Sequence, residues 1–183
     1  MPEYRRIKKG GGTYFFTVVT QGRRPILTSP EVRQALREGI SKVRQSMPFS
    51  IDAWVLLPDH LHSIWTLPEH DDRYAARWAV IKSCVTKRCK NLLGPEENVN
   101  ISRNRRHEGG IWQRRFWDHV IRDEPDFQRH LDYLHWNPVK HEYVKTPMEW
   151  PYSTIHRFVA QGFYPTNWGG GGADKDQSSN FGE

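Results

Sequence analysis

The chain has 183 residues, 37% of them hydrophobic and 26% charged, which fits one soluble globular domain with a sizeable core and a tail. No apolar run approaches the length needed to span a bilayer, and no signal-peptide core follows the basic N-terminus, so the expected location is cytoplasmic, on the nucleoid. The net charge is +6; the segment 169–183 carries three acids and one lysine, which leaves +8 on residues 1–168 and points to a polyanionic partner.

The N-terminal residues Arg5, Arg6, Lys8 and Lys9 form a basic arm before Gly10-Gly11-Gly12. Residues 13–19, Thr-Tyr-Phe-Phe-Thr-Val-Val, are aromatic and β-branched and predict a strand. Ser29-Pro30 is a helix start, a capping serine before a first-turn proline, and Val32, Leu36, Ile40 and Val43 continue at helical spacing to about Ser46. Residues 50–57 and 61–67 are two apolar strands around Pro58-Asp59, a short connection that favours an antiparallel hairpin. A second helix fits 71–91, with Trp78, Ile81, Val85, Cys89 and Leu92 on one stripe. Cys84 and Cys89 lie on it as packing thiols in a reducing compartment.

Residues 94–110 are polar and glycine-containing and predict a loop; 111–121 predict a strand or a pair of short strands. Asp123-Glu124-Pro125 opens a third helix with Phe127, Leu131 and Leu134 inward, and Pro138 is expected to end or kink it. Beyond Trp150-Pro151 the chain reads as irregular, and 169–183 as a disordered tail on a single domain spanning 1–168. The element order predicts an α+β fold: a ferredoxin-like split βαβ sandwich, an antiparallel sheet with helices on one face.

Two features carry chemistry. In His60-Leu61-His62 the imidazoles are two apart on a strand, so both face one way and Leu61 faces the other. Two imidazoles so placed can hold one divalent metal; the plainer reading is a pair of histidines at the exposed end of a hairpin, each hydrogen-bonded or solvated. In Tyr133-Leu134-His135-Trp136-Asn137-Pro138, Tyr133 and Asn137 are four apart and share a helical face. The tyrosine can offer its oxygen to a phosphate and the amide its carbonyl to a metal; alternatively Tyr133 is a core aromatic and Asn137 caps a new helix. A metal at the histidines would gather charge on a phosphate while the phenol attacks it, and two neutral imidazoles with an amide suit Mn²⁺ or Mg²⁺. Arg114 and Arg115 are placed on the strand that flanks the site, where they can hold a phosphate backbone.

Four motifs in order make the chain resemble the REP-associated tyrosine transposases, relatives of the single-tyrosine HUH transposases. They are Tyr4-Arg5-Arg6 with the Gly11–Thr17 stretch, Ala53-Trp54-Val55-Leu56-Leu57-Pro58-Asp59-His60-Leu61-His62, Ile111-Trp112-Gln113-Arg114-Arg115-Phe116-Trp117-Asp118-His119, and Asp132–His141. A fifth, Trp150-Pro151-Tyr152-Ser153-Thr154, resembles the family's C-terminal segment, and together they cover about residues 4–168. The resemblance implies a ferredoxin-like fold, His60 and His62 as metal ligands with Asn137 as the third, and Tyr133 as nucleophile. It implies cleavage and strand transfer on single-stranded DNA bearing palindromic hairpins, the repetitive extragenic palindromes, through a 5′-phosphotyrosine intermediate, by a monomer or homodimer. In the wider insertion-sequence group the residue four after the tyrosine is often glutamine; here it is the shorter Asn137, with His130 in reserve. Two further readings stand beside this one: a catalytically silent binder of structured DNA or RNA, and a metal-dependent hydrolase that uses an activated water.

Overall fold

Strand β1, Thr13–Val19, has apolar residues at both odd and even positions, so neither of its faces can be left to water. Tyr14, Phe16 and Val18 point into one core, and Phe15 into a second core on the opposite face. This alternation organises the molecule. The computed structural model describes residues 10–92 and 110–170. The basic arm from Arg5 to Lys9, most of the predicted 94–110 loop and the tail beyond Gly170 lie outside the described residues.

Helix α1, Pro30–Ser46, starts where the sequence marks it: the Ser29 side chain accepts from the Val32 amide, and Pro30 occupies the first turn. Strands β2, Ser50–Leu56, and β3, His60–Thr66, form a tight hairpin closed by the Leu57 amide on the His60 carbonyl. Helix α2, Tyr74–Arg88, follows, and strand β4 is short, Trp117–Val120. Every neighbouring pair is antiparallel and the strand order is β2-β3-β1-β4, the split βαβ arrangement. Both cysteines are free thiols.

The sheet is covered on both faces rather than one. Helices α1 and α2 pack on the face carrying Tyr14, Phe16, Leu61 and Trp65, where Trp65 and Trp78 stack with centroids 4.2 Å apart. Under their edge Arg77 is fully buried; it forms a two-pronged pair with Asp71 and donates to the carbonyls of Met47 and Pro48. The opposite face is covered by helix α3, Glu124–Lys140, and the short helix α4, Ile155–Ala160. Helix α4 lies where the sequence suggests irregular chain.

Two expectations are corrected, one on α3 and one before β4. Pro138 does not end α3: the helix runs on to Lys140 with the proline in its last turn. A proline there forgoes one hydrogen bond to the carbonyl four residues back, a loss that a final turn tolerates when the end is capped. The cap is a Schellman motif: the Tyr143 amide bonds the Pro138 carbonyl, the Glu142 amide bonds the Val139 carbonyl, and Glu142 takes the left-handed conformation at φ 60°. Arg114 and Arg115 are exposed, but in the connection before β4 rather than on a strand. Between the pairs Thr17↔Trp117 and Thr20↔Trp112 this strand has two more residues than β1, so the surplus loops out of the ladder.

Candidate active site

The period-two geometry of β3 sends Leu61 and Trp65 toward α1 and α2, and His60, His62 and Ile64 toward α3. Both imidazoles are fully buried, so the pair is not solvated at an exposed hairpin end, although each ring is hydrogen-bonded. Their ring centroids are 5.1 Å apart and the planes are nearly perpendicular, at 81°.

Each imidazole is oriented from behind. His62 Nδ1 is 2.9 Å from Thr17 Oγ1, its direct cross-strand partner on β1. His60 Nδ1 donates to Asp59 Oδ1 at 2.7 Å. Burial alone would raise the Asp59 carboxyl, but the hydrogen bonds and charges of His60 and Arg23 outweigh it and hold the pKa down to about 2. With Nδ1–H committed to Asp59, a neutral His60 presents its Nε2 lone pair. That lone pair faces Asn137 Oδ1 at 3.2 Å. With a neutral ring these two atoms are both acceptors, as two ligands of one cation are, whereas a protonated ring makes the same contact an ordinary hydrogen bond. Neighbouring ligands of an octahedral ion at about 2.1 Å from the metal lie roughly 3 Å apart. The spacing of His60 Nε2 and Asn137 Oδ1 is therefore one that a small divalent cation can bridge, and His62 lies beside them with its ring centroid 5.1 Å from that of His60.

Helix α3 brings the remaining groups. Tyr133 is 2% exposed, and its ring packs edge-on against His62 with centroids 5.3 Å apart. Asn137, one turn further on, is fully buried, which excludes the reading of a helix start. Lys140 Nζ donates to the Tyr133 hydroxyl at 3.2 Å and sits 4.9 Å from the ring centroid. The reserve candidate His130 is not a surface histidine: it is 1% exposed, with Phe15 packed between it and His62.

His130 belongs to a second group with His119 and Asp126, whose ligand atoms all lie within 4.8 Å of one another. By distance these three could hold a metal. The Asp126 carboxylate is already taken by Arg122, Arg129 and His119. Burial pushes Asp126 up, but the Arg122 and His119 hydrogen bonds prevail and hold it well below the usual carboxylate range. A cation here would have to displace two guanidiniums, so the group reads as the ion-pair lock between β4 and the first turn of α3. Asp123 completes that turn by capping the Asp126 amide at 2.8 Å.

The sequence identified His60, His62, Tyr133 and Asn137, and the fold gathers all four within one chain. It did not identify Thr17, Asp59 or Lys140 as parts of the site. Lys140 was within reach, since it stands seven residues after Tyr133, two helical turns along the same face. Thr17 was not, because its place depends on the β1–β3 register.

No family model matches the chain. It is 46% identical over 172 residues to the REP-associated tyrosine transposase of Escherichia coli strain K12, covering 93% of this chain and 92% of the relative. It is 43% identical over 172 residues to a Haemophilus influenzae protein named for the same family, covering 93% and 94%. A solved structure of a REP-associated tyrosine transposase bound to a REP hairpin superposes with a TM-score of 0.79 at 43% identity, covering all of this chain and 98% of that one. With this fold, and with identity of this extent along nearly its whole length, the chain belongs to the REP-associated tyrosine transposases.

Proposed function

We propose that this protein is a metal-dependent endonuclease and strand transferase that acts on single-stranded DNA at REP-type hairpins through a 5′-phosphotyrosine intermediate. The observation that carries the reading is the packing of Tyr133 against His62 in the same chain, with Asn137 one turn away against His60. The hairpin-bound relative supports the substrate class.

His60, His62 and Asn137 would hold Mn²⁺ or Mg²⁺, which when bound supplies positive charge for the non-bridging oxygens of the scissile phosphate. The Tyr133 oxygen attacks phosphorus in line and loses its proton to water. The bond from phosphorus to the departing 3′ oxygen breaks, and that oxygen takes a proton, leaving a 3′-hydroxyl and a tyrosyl ester on the 5′ side. The ester keeps the bond energy, so a second 3′-hydroxyl can reverse the step without ATP. Lys140 stabilises negative charge on the phenol oxygen in both directions. The proposed set lies within one chain, which supports action in cis by a monomer or by each chain of a homodimer. Arg114 and Arg115, exposed before β4, would take backbone phosphates, as would Arg5, Arg6, Lys8 and Lys9.

An internally labelled hairpin oligonucleotide with Mn²⁺ tests the reading. The wild type should form a protein–DNA adduct that survives denaturation, and Tyr133→Phe should form none. An adduct persisting in Tyr133→Phe refutes the assignment of the nucleophile. Binding without any adduct leaves a silent hairpin binder, and Tyr133-independent cleavage leaves a hydrolase.

A further inference from the structure

A line of aromatic rings leads away from the candidate metal ligands across the surface. His141 packs edge-on against His60, with centroids 4.9 Å apart. Tyr143 stacks on His141 at 6.1 Å with the planes 25° apart, and Trp150 stacks on Tyr143 at 5.4 Å and 26°. Tyr152 follows at 5.7 Å, edge-on. At these separations the stacking is offset, and the Tyr143 ring is the most open of the four.

Trp150 and Tyr152 are half-buried and pack partly against the two cores, and His141 is half-buried as well; Tyr143 is the ring that core packing does not explain. Tyr143 is 44% exposed, one of few large apolar side chains open to solvent among the described residues. It is also held in place: the Schellman turn at the end of α3 fixes its backbone, and the Trp150 indole beside it is anchored on the Leu56 carbonyl at 3.0 Å. A rigid ring facing water forgoes apolar burial and has little conformational entropy left to lose when a partner arrives.

Cations stand at both ends. Arg23, with a side chain 44% exposed, pairs with Asp59 beside His60 at the inner end. Arg33 lies over the Tyr152 ring, 4.7 Å from its centroid, at the outer end. An exposed, rigid aromatic ring with half-buried rings beside it and guanidiniums at either side is a surface that suits unpaired nucleic acid: bases stack on the open ring surface and phosphates pair with the cations. A duplex offers no free base faces, so the ligand is single-stranded.

We propose that His141, Tyr143, Trp150 and Tyr152 form a stacking track for the unpaired nucleotides that flank the hairpin and lead to the scissile phosphate, with Arg23 and Arg33 holding their backbone. The inference rests on the proposed strand-transfer function and deepens it by locating the single-stranded part of the substrate. The track would accept about two or three bases, as sets of exposed rings do in other single-strand binders. Stacking is sequence-tolerant, so its contribution is grip and alignment rather than base reading.

The test measures the affinity of the full chain in EDTA, so that no cleavage intervenes. Three fluorescent DNAs are compared: a hairpin with unpaired tails, the same hairpin with abasic tails, and the blunt hairpin. The wild type should bind the tailed hairpin about tenfold more tightly than the abasic one. Tyr143→Ala should bind both alike, at the abasic level, whereas Tyr143→Phe should keep the preference. Thermal melting checks that the variants fold. A preference retained by Tyr143→Ala, no preference in the wild type, or no affinity for any of the three DNAs overturns the track. Adduct formation by the wild type is scored separately: an intact tail preference with no adduct would sink the chemistry and leave the track standing.

Discussion

Lys140 stands two helical turns beyond Tyr133 on α3, and its ammonium donates to the phenol oxygen at 3.2 Å. In the proposed reaction that oxygen is nucleophile in one direction and leaving group in the other. A fixed positive charge beside it stabilises both transition states, provided they carry more negative charge there than the resting phenol does. Replacing Lys140 with Met keeps most of the stem that covers the Tyr133 ring and removes the charge. Adduct formation at saturating DNA should slow by about 10- to 100-fold, the equivalent of one charge-assisted hydrogen bond, with hairpin affinity little changed. Lys140→Arg should recover part of the rate. If Lys140→Met loses hairpin affinity in proportion to rate, the lysine is a DNA-binding residue instead.

Asn137 is the position where this chain departs from the glutamine common in the wider insertion-sequence group. The shorter side chain still reaches, because buried α3 places its carbonyl oxygen 3.2 Å from His60 Nε2. A longer side chain would have to fold back at a fully buried site. Asn137→Gln should therefore bind Mn²⁺ more weakly than the wild type, and Asn137→Ala more weakly still, by at least about tenfold. Calorimetric or spin-resonance titration of Mn²⁺ reads this without any turnover. Unchanged Mn²⁺ affinity in Asn137→Ala would remove the amide from the ligand set.

Much of this was legible in the sequence because it is local. The Ser29-Pro30 start, the hairpin around Pro58-Asp59, the Asp123 cap and the shared face of Tyr133 and Asn137 each follow from residues within one turn of one another. The second covered face was also written locally, in the unalternating apolar run of β1, yet the element order alone suggests one layer of helices. The roles of Thr17 and Asp59 were not legible, since a threonine in a strand and an aspartate in a turn are ordinary there. Only the β1–β3 register makes one the partner of His62, and only the rotamer of His60 makes the other its anchor. Pro138 misled because its usual effect on a helix is stronger than the Schellman cap that absorbs it here.

That cap leads to a prediction about stability. Glu142 sits at φ 60°, where a residue with a Cβ is strained by about 1–2 kcal/mol and glycine is not. Glycine loses more entropy on folding, which offsets about 0.5–1 kcal/mol of the relief. Glu142→Gly should raise stability by up to about 1 kcal/mol in urea denaturation. Glu142→Val, β-branched at the same φ, should lower it. A destabilised Glu142→Gly would show that the glutamate side chain contributes more than its strain costs.

The buried His135 sets how the fold responds to acid. It is fully buried on α3, and its Nε2 donates to Thr154 Oγ1 at 3.0 Å. Thr154 in turn bridges to the backbone of Trp54 on β2, so the pair ties α3 to the sheet edge. Burial, with the nearby charges of Arg157 and His156, pushes the imidazole down to about 3. An unfolded histidine takes up its proton near pH 6.5. Between these values the unfolded state binds more protons, so stability rises with pH through the window, is complete above about 6.5, and is lost progressively toward 3. The loss from His135 should reach a few kcal/mol at the acid end, at about 1.4 kcal/mol per unit of pKa difference. The carboxylates Asp71 and Asp126, held low by Arg77 and by Arg122 with His119, add their own loss only below about pH 4. Urea midpoints measured from pH 7 down to 4 should therefore fall steeply in the wild type and more gently in His135→Gln, whose amide can still reach Thr154. Equal slopes in the two proteins would place the acid sensitivity elsewhere, with the buried His130 the next group to replace.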